Sequence, residues 1–289
     1  MIKSIAFRQI INSLNQIHCA EHVDTMTGAL RHISWMFRRM FNKFPVELKI
    51  SNSKIKVYHS SGVAALVNCM GIYDYNNINL IKLLLKELGQ SGVFFDVGSN
   101  IGSYTLVASE VATAKVFSFE PGTTAFSELK RNIELNKRSN VKLLNFAVSD
   151  KESVLILTNG KEISTNKVVN NPEITQKNVY VKSKTLDQVC REYDVQPNIV
   201  KIDVEGHELK VLEGYYEFIE DTDMLLIEEG QNTQICQWLL SFGFEGPYYF
   251  HLNKSAILST TQKRPEDPIF FRPDFLKKYD KKGVIKFKR

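Results

Sequence analysis

Between residues 93 and 228 strand-like and helix-like runs alternate, and that rhythm restricts what the chain can fold into more than any other feature. Strand-like runs at 93–97, 115–119, 141–148, 199–204 and 223–228 take turns with helical runs at about 101–111, 123–137, 185–193 and 207–220. Such alternation predicts an α/β fold, a parallel sheet with helices on both faces. Two more strand-like stretches, Val154–Leu157 and Val179–Ser183, flank a polar insert rich in Asn and Lys, where a hairpin or flap fits. The 289 residues suffice for a sizeable core, and 43% hydrophobic with 24% charged residues is a soluble globular composition rather than a disordered one.

The first of these strands, Val93-Phe94-Phe95-Asp96-Val97, ends on an acid and turns through Gly98-Ser99-Asn100-Ile101-Gly102 into a helix. Gly98 and Gly102 let the backbone approach a ligand where a side chain would collide, and the helix start offers unpaired N–H groups. A tight turn needs glycine for its own geometry, so the loop alone is a weak signal. Glu120 sharpens it, because it lies at the end of the next strand, Lys115–Phe119. In a doubly wound sheet that carboxylate sits beside the first turn and can accept hydrogen bonds from two ribose hydroxyls. Pro121 then turns the chain out of the strand. Asp96 could hold the amine of a methionine moiety or organise the loop. A dinucleotide site would read Gly-x-Gly-x-x-Gly; this loop reads Asp-x-Gly-x-Asn-x-Gly, which favours S-adenosylmethionine, a ligand with ribose and amino-acid ends and no phosphate.

With those motifs the sequence resembles the FkbM family of S-adenosylmethionine-dependent methyltransferases. The resemblance rests on Asp96 to Gly102, on Phe119-Glu120-Pro121 followed by Leu129-Lys130-Arg131-Asn132-Ile133, on Thr185-Leu186-Asp187, and on Lys201-Ile202-Asp203-Val204-Glu205-Gly206-His207-Glu208. It covers residues 71 to 230, with Ser99 where the family more often has alanine. It implies a Rossmann-like seven-stranded methyltransferase sheet, methylation of a hydroxyl oxygen, and cofactor contacts from Asp96, Gly98, Asn100, Gly102 and Glu120. Adenine is expected near the end of the third strand, around Ala147, Val148 and Ser149.

The Lys201–Gly206 stretch brings acids to the carboxyl end of a buried strand, where such sheets bind ligands. Methyl transfer is an in-line displacement that depends on alignment, and an alcohol attacks poorly unless its proton is taken as the bond forms. Asp203, Glu205 and His207 are the candidates for that task. Asp203 ranks first because the family pattern puts it at the strand tip facing the cleft; strand alternation points Glu205 to the same face. His207 has an ordinary pKa near ~6.5, suited to accepting a proton. Asp203, Glu205 and Glu228 could also supply oxygens to Mg²⁺, but Glu205 and Glu208 read equally as acids favouring a helix N-terminus, and no metal is favoured. Lys201 is expected to pair with an acid.

Residues 1–70 form an expected N-terminal extension of helices and a hairpin, and 71–289 the methyltransferase domain. Two helices fit the apolar spacing up to about residue 44; a hairpin with its turn at Asn52-Ser53 fits Val46–Val57; a helix fits about Asn77 to Leu88, ended by Gly89. The second helix carries Trp35 to Phe44, a basic and aromatic stretch expected to pack on the main domain but also suited to a membrane surface or a partner. The basic tail Lys277–Arg289, which holds much of the net +5 charge, is expected to be a solvated end. Cys19, Cys69, Cys190 and Cys236 form no Cys-x-x-Cys pair and predict reduced thiols in the cytoplasm. The N-terminus lacks a signal-peptide core, and no apolar run approaches the ~20 residues of a membrane span. Without an Asn/Asp-Pro-Pro-Tyr stretch or a concentrated basic-aromatic surface, no nucleic acid partner is expected. The expected activity is S-adenosylmethionine-dependent O-methylation of a hydroxyl on a sugar, glycan or related metabolite. An NAD-dependent oxidoreductase and a non-catalytic Rossmann-like binding module are the alternatives, and the sequence leaves the oligomeric state open.

Overall fold

The computed structural model describes residues 23–59, 62–158, 160, 166–169, 178–228, 230–259 and 267–288. The first expected N-terminal helix lies outside them. The second is α1, Thr25–Met40, whose N-cap Asp24 accepts a hydrogen bond from the Thr27 N–H at 2.9 Å. A hairpin follows, β1 (Val46–Ile50) and β2 (Ser53–Val57), with its turn at Ser51-Asn52, one residue earlier than expected. Ser51 takes the left-handed conformation there, φ 53°, and the turn is held from outside by Glu110. Helix α2 (Gly62–Met70) was not foreseen, because Gly-Val-Ala-Ala-Leu-Val-Asn-Cys-Met has too few polar residues to show a helical period. Helix α3 (Tyr75–Leu88) stops at Gly89 as expected, with φ 64° at the cap.

The alternating region then builds β3 (Val93–Val97), α4 (Ser103–Ala108), β4 (Lys115–Phe119), α5 (Thr123–Leu135) and β5 (Val141–Leu144). Helix α4 is shorter than the expected 101–111 because Asn100 and Gly102, at φ 50° and 96°, hold the loop out of helical geometry until Ser103. The expected strand at 141–148 is two: β5 stays in the main sheet, and β6 (Ala147–Val148) leaves it to pair with β8 (Asn178–Lys184), itself antiparallel to β7 (Ser153–Thr158). The expected insert hairpin is therefore the β7–β8 pair, in a separate three-stranded sheet. The chain returns through α6 (Leu186–Tyr193), β9 (Ile199–Ile202), α7 (Glu208–Glu213) and β10 (Met224–Ile227). Helix α7 ends well before the expected residue 220, at Gly214, where a Cβ would lie 2.1 Å from the Ser149 carbonyl oxygen. Helix α8 (Thr233–Ser241), β11 (Glu245–His251), β12 (Ala256–Ser259), β13 (Ile269–Phe271), α9 (Pro273–Lys281) and β14 (Lys286–Lys288) complete the described elements. The basic tail is thus not a solvated end: α9 buries Phe275, Leu276 and Tyr279, and β14 joins the sheet.

The main sheet runs β14-β12-β11-β13-β10-β9-β3-β4-β5. Its members β10, β9, β3, β4 and β5 are parallel, and β13 is antiparallel to both neighbours. The seven strands from β5 to β11 make the expected Rossmann-like sheet; β12 and β14 extend it to nine. Strand alternation divides the core between the faces. Phe94, Val116 and Ile199 pack with α3, α4, α5 and the hairpin, whereas Phe95, Phe117 and Val200 pack with α6, α7 and α8. Since β3 leads outward to β4 while β9 lies on its other side, strand order reverses between them, and ligands in open α/β sheets bind at such a point.

Candidate active site

Strand register decides which residues meet. Val97 pairs with Phe119 on one side and Ile202 on the other, and Ile202 pairs with Ile227. The next residue of each strand is Gly98, Glu120, Asp203 and Glu228, so four residues distant in sequence stand side by side at the sheet's carboxyl edge. All four line one cleft, a cavity of about 270 Å³, together with Asn100, Pro121, Glu205 and His207.

Gly98 sits where a side chain cannot. Its φ is 77°, and a Cβ would lie 1.8 Å from the Asp203 carbonyl oxygen. The loop is pinned by hydrogen bonds from the Gly98 and Ser99 N–H groups to the Phe119 carbonyl, both 3.0 Å. Glu120 accepts from the Asn100 N–H at 2.9 Å and the Gly122 N–H at 2.8 Å. Burial pushes its carboxyl up to about 7 against those two bonds, which favour the charged form. The Asn100 Oδ1 is buried and has no partner among the described residues. Beside Glu120 the wall turns apolar, with Phe119, Phe146, Ala147, Val148 and Leu157. A buried carboxylate next to a free amide oxygen and an apolar shelf fits a ribose and a purine, which is what S-adenosylmethionine presents.

Three further predicted cofactor residues do not line the cleft. Asp96 is fully buried beneath the loop, accepts from the Thr105 hydroxyl at 2.6 Å and lies 3.6 Å from the Lys201 ammonium; burial still raises its pKa. Gly102 faces Leu129, 2.5 Å from where a Cβ would be. Ser149 is buried, with its hydroxyl bonded to Asp150 and, at 2.9 Å, to His207 Nε2.

Across the cleft the predicted reactive residues come together. Lys201 lies 2.9 Å from Asp203 and donates to the Gly98 carbonyl at 3.2 Å, so one ammonium ties the cofactor loop to the acid. Burial would push that ammonium down, but Asp203 and Asp96 outweigh it and its pKa is raised. For Asp203 burial opposes ionisation, yet Lys201 and a hydrogen bond with Glu228 prevail and hold its pKa below the usual value. Glu228 takes the opposite course: burial, then the charge of Asp203, push it up to about 9, so at neutral pH it carries the proton of the pair. Glu205 is exposed, at φ 54°, with an oxygen within 4.8 Å of ligand atoms on Asp203 and Glu228. His207 is kept neutral at pH 7 by burial, which lowers its pKa. Glu208 is buried and caps the loop instead, accepting from the Val204 and Gly206 N–H groups at 3.1 and 3.0 Å.

Other motif residues prove architectural. Asp187 accepts from the Tyr216 and Glu217 N–H groups, both at 3.0 Å, and Thr185 and Gln188 form a capping box on α6. Asn132 donates to the Ile101 carbonyl at 2.9 Å and accepts from Lys56 N–H at 2.7 Å, linking the cofactor loop to the hairpin. Sequence reasoning missed Leu66 and Tyr73 as cleft residues, since both follow from the unforeseen α2. It named Glu228 only as a metal oxygen; pairing of β9 with β10 was the signal that it would touch Asp203. Asn166 and Val168 of the insert also reach the cleft.

Several known proteins are similar to this chain. The Methyltransferase FkbM domain model matches residues 96–245, just over half of the chain. The hexuronic acid methyltransferase AglP of Haloferax volcanii is 32% identical over 157 residues, 52% of this chain and 61% of that protein. Methyltransferase sdnD of Sordaria araneosa is 32% identical over 163 residues, 45% of this chain and 62% of that protein. The matched part thus spans less than two thirds of either relative. Among solved structures, M. jannaschii TYW2 in complex with AdoMet matches at 15% identity and a TM-score of 0.41, over 78% of this chain and 86% of that one. With the family model covering the glycine loop, the Glu-Pro turn and the Asp203 strand in one match, the chain belongs to the FkbM methyltransferase family.

Proposed function

We propose that this chain is an S-adenosylmethionine-dependent O-methyltransferase whose acceptor is a hydroxyl of a saccharide. The observation that carries it is the contrast along the strand tips: Glu120, Asp203 and Glu228 line one cleft, and Lys201, 2.9 Å from Asp203, holds that acid ionised while burial pushes the other two up. When bound, S-adenosylmethionine supplies a methyl group on a cationic sulfur. Glu120 accepts the ribose hydroxyls, Gly98 leaves room for the ligand against the backbone, and the apolar shelf around Phe146 and Val148 takes the adenine. Asp96, Gly102 and Ser149 support that wall from behind. Asp203 accepts the hydrogen bond of the acceptor hydroxyl and would take its proton as the methyl group passes from sulfur to that oxygen, the carbon–sulfur electron pair staying on sulfur as a neutral thioether. Lys201 and Glu228 fix the position of that carboxylate, and His207, neutral and on the same cleft, is the alternative proton acceptor. A saccharide acceptor is supported by the likeness to the hexuronic acid methyltransferase AglP, and the insert residues Asn166 and Val168, which line the cleft, would contact it.

A divalent ion is not needed in this mechanism. The Lys201 ammonium, 2.9 Å away, already meets the charge of Asp203, and the trio Asp203, Glu205 and Glu228, whose oxygens lie within 4.8 Å of one another, is what EDTA treatment would probe. The test is methyl transfer from labelled S-adenosylmethionine to saccharides containing hexuronic acid. Asp203→Asn should lower kcat/KM by ~100-fold or more while calorimetry still shows cofactor binding, and activity should survive EDTA. Undiminished turnover in Asp203→Asn with loss in His207→Gln would move the base to the histidine. Binding of NAD without binding of S-adenosylmethionine would overturn the assignment.

A further inference from the structure

Helix α1 has two apolar faces, and the fold uses one. Its buried residues are Gly28, His32 and Trp35. At 100° per residue, Met26, Leu30, Ile33 and Phe37 fall on the opposite side, and they are 73%, 60%, 50% and 55% exposed. Met40 and Phe41 continue the stripe at 65% and 62%. Isolated exposed apolar residues are ordinary, but a contiguous stripe along a 16-residue helix is not. Among residues 25–46 the charged side chains are Arg31, Arg38, Arg39 and Lys43, with no Asp or Glu. Arg31 and Arg38 border the stripe and, with Lys49 of β1, line a groove between α1, β1 and α2.

We infer that α1 docks this protein on an anionic bilayer surface, its apolar stripe in the headgroup–acyl boundary and its arginines on lipid phosphates. An apolar stripe flanked by Arg and Lys without acids is what an interfacial helix requires, and basic residues near such a surface are drawn to it. Charge complementarity separates this occupant from the others. A second copy packed in parallel would bring Arg38, Arg39 and Lys43 against their own counterparts, and one packed antiparallel would leave those three cations unmatched but for the Asp24 cap. Residues 1–22 carry Lys3 and Arg8 against Glu21, so they offer no negative surface either. Among the described residues no helix is long and apolar enough to cross a membrane, so the attachment is to the surface. The inference does not depend on the methyl-transfer assignment.

Co-sedimentation of the full chain with phosphatidylcholine vesicles, with and without phosphatidylglycerol, tests it. The wild type should sediment with the anionic vesicles at low salt and remain in solution with phosphatidylcholine alone. Leu30→Asp/Phe37→Asp should weaken that partitioning by at least ~10-fold, and Arg31→Ala/Arg38→Ala by about tenfold. All four positions are exposed, so each variant should keep the wild-type circular dichroism and melting curve, and a variant that does not is replaced by Met26→Asp/Ile33→Asp. Failure of the wild type to bind anionic vesicles overturns the inference. So does binding undiminished in the apolar variants, or a wild-type dimer, by light scattering, that Leu30→Asp/Phe37→Asp converts to monomer.

Discussion

Glu120 is the residue whose chemistry can be read most directly in a measurement. Its carboxyl, pushed up to about 7 by burial, is ionised above that pH and increasingly neutral below it. An ionised carboxylate accepts two ribose hydroxyls better than a neutral one, which must donate with one of its oxygens. Affinity for S-adenosylmethionine should therefore fall as pH drops from about 8 to about 6. Asp203, held below the usual carboxylate range, stays ionised throughout and adds no slope there. Glu120→Gln should bind ~10-fold or more weaker and lose the pH dependence, as titration calorimetry across that range would show. The sequence placed Asp96, Glu120 and Asp203 at strand ends because a buried run followed by glycine or proline announces one. It could not say which acids reach the cleft. That depends on strand parity and on Lys201, whose ammonium stands between Asp96 and Asp203.

At the scale of elements, the turn of the hairpin is fastened to the sheet domain by a carboxylate. Glu110 accepts hydrogen bonds from the Ser51 hydroxyl, the Asn52 N–H and the Ser53 hydroxyl, each 2.8 Å, and forms an ion pair with Lys82 of α3. Glu110 and Lys82 are only 4% and 14% exposed, so Glu110→Ala would leave a nearly buried ammonium and three donors without their acceptor. That loss should cost about 3 kcal/mol of unfolding free energy in a urea titration. A change within error would mean that the ion pair is replaced by water. The hairpin was legible because Leu48, Ile50, Ile55 and Val57 alternate with polar residues. The shift of its turn was not, since it depends on Glu110, more than fifty residues away. Helix α2 escaped for a different reason, having no polar face to mark a period, and Leu66 and Tyr73 of the cleft wall escaped with it.

For the whole molecule, the sequence divided the chain near residue 70, and the core crosses that line. Trp35, Val46, Ile50, Ile55 and Val57 share one apolar cluster with Leu84, Phe94 and Leu129. We expect thermal unfolding to be a single transition by calorimetry, with calorimetric and van't Hoff enthalpies equal; a separate early transition would mean that the N-terminal extension melts independently. The Rossmann-like centre was legible because parallel strands buried on both faces form apolar runs that alternate with helices. The two added strands were not, because Lys286-Phe287-Lys288 reads as charged tail. In the fold that segment is the last strand of the sheet, parallel to β12. An outermost strand presents backbone groups that a strand from another chain can extend, and charge there is a common safeguard. Lys286, exposed on that outermost strand, puts a charge of this kind on the edge.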